Sequence, residues 1–172
     1  MHARTMNEPQ ARTSSMDELY RANAQRVGRL AYFLVGDREL AQDLVQEAFL
    51  KVFARWGNLR EPQSFAAYLN RTIVNLANKT HRRRGIERRY LEQQPGREAV
   101  APERDYETAD ELWQQLQLLP KRQRTAVVLR YYEDLTDYQA AQAMGCSETA
   151  IASLVQRALG TLRKNAPAAE VN

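Results

Sequence analysis

In almost every segment from Leu19 to Leu162 the apolar residues of this chain recur at three- and four-residue spacing, and no segment alternates apolar and polar positions as a half-buried strand does. That periodicity restricts the chain to packed helices. Leu19, Val27, Leu30, Ala31 and Leu34 form one stripe, which stops at the turn Gly36-Asp37. Asp37 is placed to cap a second helix in which Leu40, Leu44, Val45, Ala48, Phe49, Val52 and Phe53 share a side, and Gly57-Asn58 breaks it. A third helix starts near Pro62, carries Phe65, Tyr68, Leu69, Ile73 and Leu76, and ends in the basic run His81 to Arg84. Three such stripes can bury one another, which makes the N-terminal half a small all-α domain.

Pro95, Gly96 and Pro102 then interrupt the periodicity in a charged stretch poor in large apolar residues, which reads as a linker. Beyond it Leu112, Trp113, Leu116 and Leu119 line a helix. Pro120 suits the start of the next, and Val127, Val128, Leu129 and Tyr131 continue the core. Thr136 and Gln139 have the spacing of a capping box, and Ser147 can cap a last helix running to about Lys164. The short turn Met144-Gly145-Cys146 between two such helices matches a helix-turn-helix that reads DNA in the major groove, against the plainer alternative of a hairpin buried in a bundle.

The expected architecture is therefore all-α, two small helical domains joined by a flexible acidic linker, the C-terminal one containing the helix-turn-helix. Its boundaries are a disordered tail over 1–15, a first domain over 16–91, the linker over 92–108, a second domain over 109–165 and a C-terminal tail over 166–172.

Charge separates these parts. The net charge is only +4, but Arg60 to Tyr90 holds eight Lys or Arg against Glu61 and Glu87, while Leu91 to Glu111 holds seven acidic residues against Arg97 and Arg104. Blocks of opposite sign suit partners of opposite charge. The single cysteine, Cys146, excludes an internal disulfide and suits a small buried thiol at the turn. The histidines His2 and His81 are isolated, so the sequence offers no catalytic residues, no metal site and no cofactor. No apolar run reaches membrane-spanning length and the start lacks a secretion signal, so membrane insertion is not expected and the expected location is cytoplasmic.

Three surfaces carry chemistry. On the last helix Ile151, Val155, Ala158, Leu159 and Leu162 face inward, leaving Thr149, Ser153, Gln156, Arg157 and Lys164 to meet base edges or phosphates. Arg122, Arg124 and Arg130 are placed to hold the DNA backbone, although each alone is equally well a solvated surface charge. On the third helix Asn70, Arg71, Asn75, Asn78 and Lys79 share a polar side next to Arg82, Arg83 and Arg84, a combination suited to an unstacked strand. The second helix presents Asp43, Gln46, Glu47, Lys51 and Arg55, a mixed-charge side suited to a protein partner and equally to plain solvent.

These residues carry a resemblance. ELAQDLVQEAFLKVFARW (Glu39 to Trp56) resembles the helix by which bacterial sigma factors of the extracytoplasmic-function group dock on RNA polymerase. SFAAYLNRTIVNLANKTHRRR (Ser64 to Arg84) is similar to the family's segment that recognises and opens the promoter −10 element. LPKRQRTAVVLRYYEDLTDYQAAQAMGCS, followed by RALGTLR, resembles the domain that reads the −35 element. The match runs from about Met16 to Lys164 in the family's order.

The resemblance implies that Asp43, Gln46, Glu47 and Phe53 belong to the docking surface for the clamp of the polymerase β′ subunit. Asn58, Leu59 and Arg60 would capture a flipped base, and Arg71, Asn75, Lys79, Arg82, Arg83 and Arg84 would hold the opened −10 strand. Arg122, Arg124, Arg130, Ser147, Thr149, Ser153, Gln156 and Arg157 would serve the −35 element. The acidic linker would thread toward the RNA exit channel of core polymerase, so the implied partners are the β′ clamp and β subunits, promoter DNA and an anti-sigma factor. The chain would be a non-catalytic specificity subunit.

One departure stands out. Where the family usually has Lys and Arg early in the recognition helix this chain has Ala152 and Leu154, which predicts altered −35 binding or its partial replacement by a protein contact. Tyr68 stands where the family often has Trp. The competing functions are a stand-alone helix-turn-helix regulator, and a sigma-like interaction protein with reduced −35 reading.

Overall fold

Helix α1 (Glu8–Val35) is set off from α2 (Arg38–Arg55) by two residues whose chemistry fixes the turn. Gly36 takes φ +70, a left-handed backbone that glycine adopts without a Cβ penalty. Asp37 accepts from the Leu40 backbone N–H at 2.9 Å and so caps α2. The computed structural model describes residues 8–55, 63–91 and 107–165, and all elements among them are helical. The third helix is α3 (Gln63–Leu91). After it come α4 (Glu107–Leu116), α5 (Lys121–Val127), a π-helical turn (Val128–Tyr132), α6 (Asp137–Met144) and α7 (Glu148–Asn165).

Two boundaries differ from the sequence expectation. Helix α1 begins at Glu8, inside the segment expected to be an irregular tail; Pro9 falls in its first turn, where a missing N–H is tolerated, and Gln10, Ala11 and Arg12 are good helix formers. Helix α3 runs through Arg84 to Leu91. Gly85 weakens a helix interior by only ~1 kcal/mol, and Ile86, Glu87, Arg88 and Arg89 can sustain it. The expected linker and C-terminal tail lie almost entirely outside the described residues.

The first three helices bury their stripes as their spacing requires. Leu44, Val45, Ala48, Phe49 and Val52 of α2 meet Phe65, Leu69, Ile73 and Leu76 of α3 and Val27, Leu30 and Ala31 of α1. Phe53 joins them from the edge, its ring 5.5 Å from Phe49 and 5.9 Å from Phe65. Each large side chain removed from water in this way contributes roughly 1.5–3 kcal/mol.

The end of α1 behaves differently. Leu30, Ala31, Tyr32, Phe33, Leu34 and Val35 are consecutive and all buried, so this part of the helix is covered on every side. The far side is covered by the C-terminal module. Phe33 meets Tyr132 edge to face at 4.9 Å and Tyr32 meets Trp113 at 5.8 Å. The buried residues of both modules form one continuous cluster.

In the C-terminal module Pro120 stands at the N-cap of α5. The π-helical turn then widens the chain, with the Glu133 N–H donating to the Val128 carbonyl at 3.0 Å. Thr136 and Gln139 form the reciprocal capping box of α6, Gly145 ends that helix at φ +63, and the Ser147 hydroxyl accepts from Ala150 N–H at 3.2 Å to cap α7.

Candidate nucleic-acid interface

On α3 the residues Arg71, Asn75, Asn78, Lys79 and Arg82 fall at i, i+4, i+7, i+8 and i+11, which puts them on one side of the helix, and all are exposed. Asn70 is not part of that stripe: it is 2% exposed and turned toward the C-terminal module. Of the three consecutive arginines, Arg84 is drawn back to Asp37 at 3.2 Å. The stripe that remains is cations interleaved with amides, able to hold phosphates and base edges together. Asn58, Leu59 and Arg60 lie outside the described residues.

The outward side of α2 presents Asp43, Gln46 and Glu47, all exposed, with Glu47 paired to Lys51 at 3.0 Å. Phe53 is only half exposed and belongs mainly to the aromatic core. Leu50, not among the residues expected at this surface, also belongs to it. It stands seven residues after Asp43 and three after Glu47, in the middle of this polar stripe, and it is 71% exposed. An apolar residue at the i+7 position of a charged side was the available signal. Beside Gln46 a shallow groove of about 280 Å³ runs between α1 and α2, lined by Tyr20, Ala24, Gly28, Tyr32, Ala41 and Val45.

On α7 Thr149, Gln156, Arg157 and Lys164 are exposed and Ser153 is half buried, while Ile151 and Ala158 are buried. Ser147 spends its hydroxyl on the cap. Ala152 is exposed, but Leu154 packs against the core, so its expected role as an exposed contact for another protein is not what the fold gives it.

Two of the flanking arginines are also placed otherwise than expected. Arg122 is exposed. Arg124 is 8% exposed, lies over the Trp113 ring at 4.6 Å and donates to the Leu119 carbonyl at 3.3 Å, and burial lowers its pKa. Arg130 is half buried, bonding to the Leu135 carbonyl and to Asp137 at 2.5 Å. Both arginines hold the C-terminal module together rather than face outward.

Between the modules lie two polar clusters. In the first, Arg26 Nη1 of α1 donates to Asn70 Oδ1 of α3 at 3.0 Å and pairs with Glu133, and Asn70 Nδ2 donates to the same Glu133 oxygen at 3.1 Å. The Glu133 side chain is 1% exposed, and its other oxygen is buried with no hydrogen-bond partner. In the second, Asp110 of α4 pairs with Arg38 of α2 and accepts from the Tyr32 hydroxyl at 2.7 Å. The Arg38 bond, more than the Tyr32 bond, holds the Asp110 carboxyl below its usual range. Burial first, and then the bond to Asp110, pushes the Tyr32 phenol up to about 12. His81 bonds the Leu34 carbonyl at 2.8 Å, and burial, joined by the nearby cations Lys121, Arg124 and Arg84, pushes its pKa down.

Among the described residues no group of His, Cys, Asp or Glu could hold a metal ion, and no helix is long and apolar enough to cross a membrane.

Comparison with known proteins agrees with this layout. Residues 19–86 match Sigma-70 region 2, and residues 109–162 match Sigma-70, region 4. The chain is 33% identical over 150 residues to the RNA polymerase sigma-E factor of Streptomyces avermitilis, covering 86% of this chain and 83% of that protein. It is 36% identical over 161 residues to the ECF RNA polymerase sigma factor SigE of Mycolicibacterium smegmatis, covering 90% of this chain and 62% of that one. Among solved structures the fold resembles the sigma factor RpoE of Bartonella quintana, solved in complex with the anti-sigma factor NepR, with a TM-score of 0.70 at 23% identity, covering 86% of this chain and 95% of that one. It also resembles CnrH, solved in complex with the cytosolic domain of CnrY, with a TM-score of 0.66 at 18% identity and coverage of 89% and 88%. With both sigma-70 regions matched in order around the stripes described above, the chain belongs to the extracytoplasmic-function group of the sigma-70 family of RNA polymerase sigma factors.

Proposed function

We propose that the three exposed stripes divide the work of a sigma factor of this group: α2 docks on the β′ clamp of core RNA polymerase, α3 holds the opened −10 strand, and α7 reads the −35 duplex. The observation that supports this most is the sorting of chemistry by helix. Asp43, Gln46, Glu47 and Leu50 on α2 offer mixed charge around an apolar centre, a composition that suits a protein surface and repels phosphate. Arg71, Asn75, Asn78, Lys79 and Arg82 on α3 offer only cations and amides. The chain then acts as a cytoplasmic, non-catalytic specificity subunit, and its chemistry is binding: flipping a base costs a few kcal/mol that contacts from the N-terminal module must return. Asn58, Leu59 and Arg60 are assigned to that capture. Core polymerase supplies the catalysis.

Binding to core polymerase tests the division. Asp43→Lys with Glu47→Lys is expected to abolish co-migration with core polymerase, while Arg71→Ala with Lys79→Ala retains it and loses promoter opening. Equal behaviour of the two double variants in both assays overturns the assignment.

A further inference from the structure

The outward side of α7 changes character along its length. Thr149, Ala152, Gln156 and Arg163 fall at i, i+3, i+7 and i+14, one line along the helix, and all four are exposed. Ile151 and Ala158, on the opposite side, are buried. Glu148 to Gln156, the first half of the helix, contains no Lys or Arg; the cations Arg157, Arg163 and Lys164 all follow it. The N-terminal half therefore offers hydroxyl, methyl, carboxamide and carboxylate groups, and the C-terminal half offers charge for phosphates. Ser147 is committed to the cap and Ser153 is half buried. Thr149, Ala152 and Gln156, with Glu148 at the edge, remain to meet a surface laid along this side.

We propose that α7 requires A·T pairs at the centre of its DNA site: Gln156 pairs with an adenine, and the Ala152 methyl lies against the methyl of a thymine one or two base pairs away. The proposal rests on the assignment of α7 to the −35 duplex and adds which bases that duplex must present. A recognition helix puts its N-terminal residues on base edges in the major groove. There the Gln carboxamide matches adenine with two bonds, its oxygen accepting from N6–H and its N–H donating to N7. Guanine shows two acceptors, N7 and O6, whose bidentate partner is Arg or Lys, and neither stands in this half of the helix. Thymine carries the methyl group of the major groove, which an exposed alanine contacts. Ala152 and Gln156 are one turn apart, about 6 Å along the axis, against about 3.4 Å between successive base pairs, so the two side chains reach pairs one or two steps apart.

Electrostatics sharpen the choice. Glu148 brings a carboxylate, an acceptor without a donor, to the end of the helix that enters the groove. Beside the two acceptors of guanine it is repulsive, whereas adenine and cytosine present an amino group that it can accept from. Guanine is thus disfavoured by charge as well as by the missing donor. The carboxylate also suits the positive end of the helix dipole, which keeps it in place without DNA. Attraction to phosphates is left to Arg157, Arg163 and Lys164, all exposed in the second half of α7. A one-carbon side chain at Ala152 lets the helix axis lie close to the base pairs, where a carboxamide reaches an adenine edge directly.

Base analogues in promoters bound by core polymerase with the full chain test this reading. Promoters retained from a library randomised across the −35 element are expected to share A·T pairs at two positions one or two steps apart. At one of them 7-deazaadenine, which lacks N7, is expected to weaken retention on the order of tenfold with the intact chain and not with Gln156→Ala. At the other, deoxyuridine in place of thymidine, which lacks the methyl, is expected to weaken it roughly fourfold with the intact chain and not with Ala152→Gly. Each analogue is compared with its natural base on the same chain, so a helix weakened by Ala152→Gly does not imitate the result. Selection with Gln156→Arg is expected to replace the adenine by guanine. An analogue without effect on the intact chain, or with equal effect on its variant, overturns the contact it probes. Guanine selected by the intact chain overturns the A·T reading and leaves α7 on the −35 duplex. Retention indifferent to every −35 base with all the chains overturns the assignment of α7 itself.

Discussion

The Trp113 indole of α4 lies against the Gly36 backbone at the turn that ends α1, so close that a Cβ on Gly36 would stand 2.0 Å from the ring carbon Cζ2. Gly36 also takes φ +70, which an alanine adopts only at a cost of about 1–2 kcal/mol. Gly36→Ala must therefore strain the turn and displace the ring that bridges the two modules. The expected loss is about 2 kcal/mol or more, read by urea unfolding with Trp113 fluorescence in a Trp56→Phe background. An unchanged midpoint contradicts this packing of Trp113 on Gly36.

Arg124 and Arg122 are two residues apart and are expected to behave oppositely. Arg124→Met loses a cation–π contact with Trp113 worth about 1–2 kcal/mol and a bond to the Leu119 carbonyl worth about 1 kcal/mol, but it also removes a buried Nε that has no partner, worth about 1–3 kcal/mol. Stability should change by no more than about 1 kcal/mol and DNA affinity should not change. Arg122→Ala should leave stability alone and lower both affinity and the salt dependence of binding by about one released counterion. Fluorescence anisotropy with a −35 duplex over a salt series distinguishes them.

His81 gives the fold a pH dependence of definite sign. Its pKa is lowered in the folded chain, chiefly by burial and then by Lys121, Arg124 and Arg84. The unfolded chain, with an ordinary histidine near pH 6.5, therefore binds more protons at mildly acid pH, so stability falls as pH drops below about 6.5. The loss levels off below the folded-state value. Urea midpoints between pH 7.5 and 5.5 should show this fall, and His81→Asn should flatten it.

The departure at Ala152 and Leu154 separates into two effects. Ala152 is exposed, so Ala152→Lys is expected to raise DNA affinity and steepen its salt dependence by about one counterion. Leu154 packs against the core, so Leu154→Arg should cost about 2 kcal/mol of stability before any DNA contact is gained. No gain in binding from Ala152→Lys removes the idea that −35 reading is weakened at this position.

Local signals in the sequence were sufficient wherever the structure is locally determined. Asp37, Pro120, the Thr136–Gln139 box, Gly145 and Ser147 each act within four residues of themselves, and each is used as its chemistry suggested. What sequence alone did not give depends on residues brought from far along the chain. Arg124 looks like any surface cation until α4 delivers Trp113 to cover it, and Glu133 looks solvated until Arg26 and Asn70 close over it. One signal of module packing is nevertheless present in the sequence. The unbroken apolar run from Leu30 to Val35 has no polar side, and a helix end of that kind has to be covered all round. The π-helical turn left no comparable mark, because its residues Val128 to Tyr132 satisfy an ordinary helical pattern equally well.

Start-site mapping with the reconstituted polymerase supplies a promoter, and permanganate reactivity of its −10 thymines then measures strand opening directly. Core polymerase with the intact chain is expected to make those thymines reactive, and core polymerase with the Arg71→Ala, Lys79→Ala chain is expected to bind the promoter and leave them protected. Equal reactivity with both chains, or protection with both while polymerase and the intact chain are bound, would contradict the assignment of α3 to the melted strand.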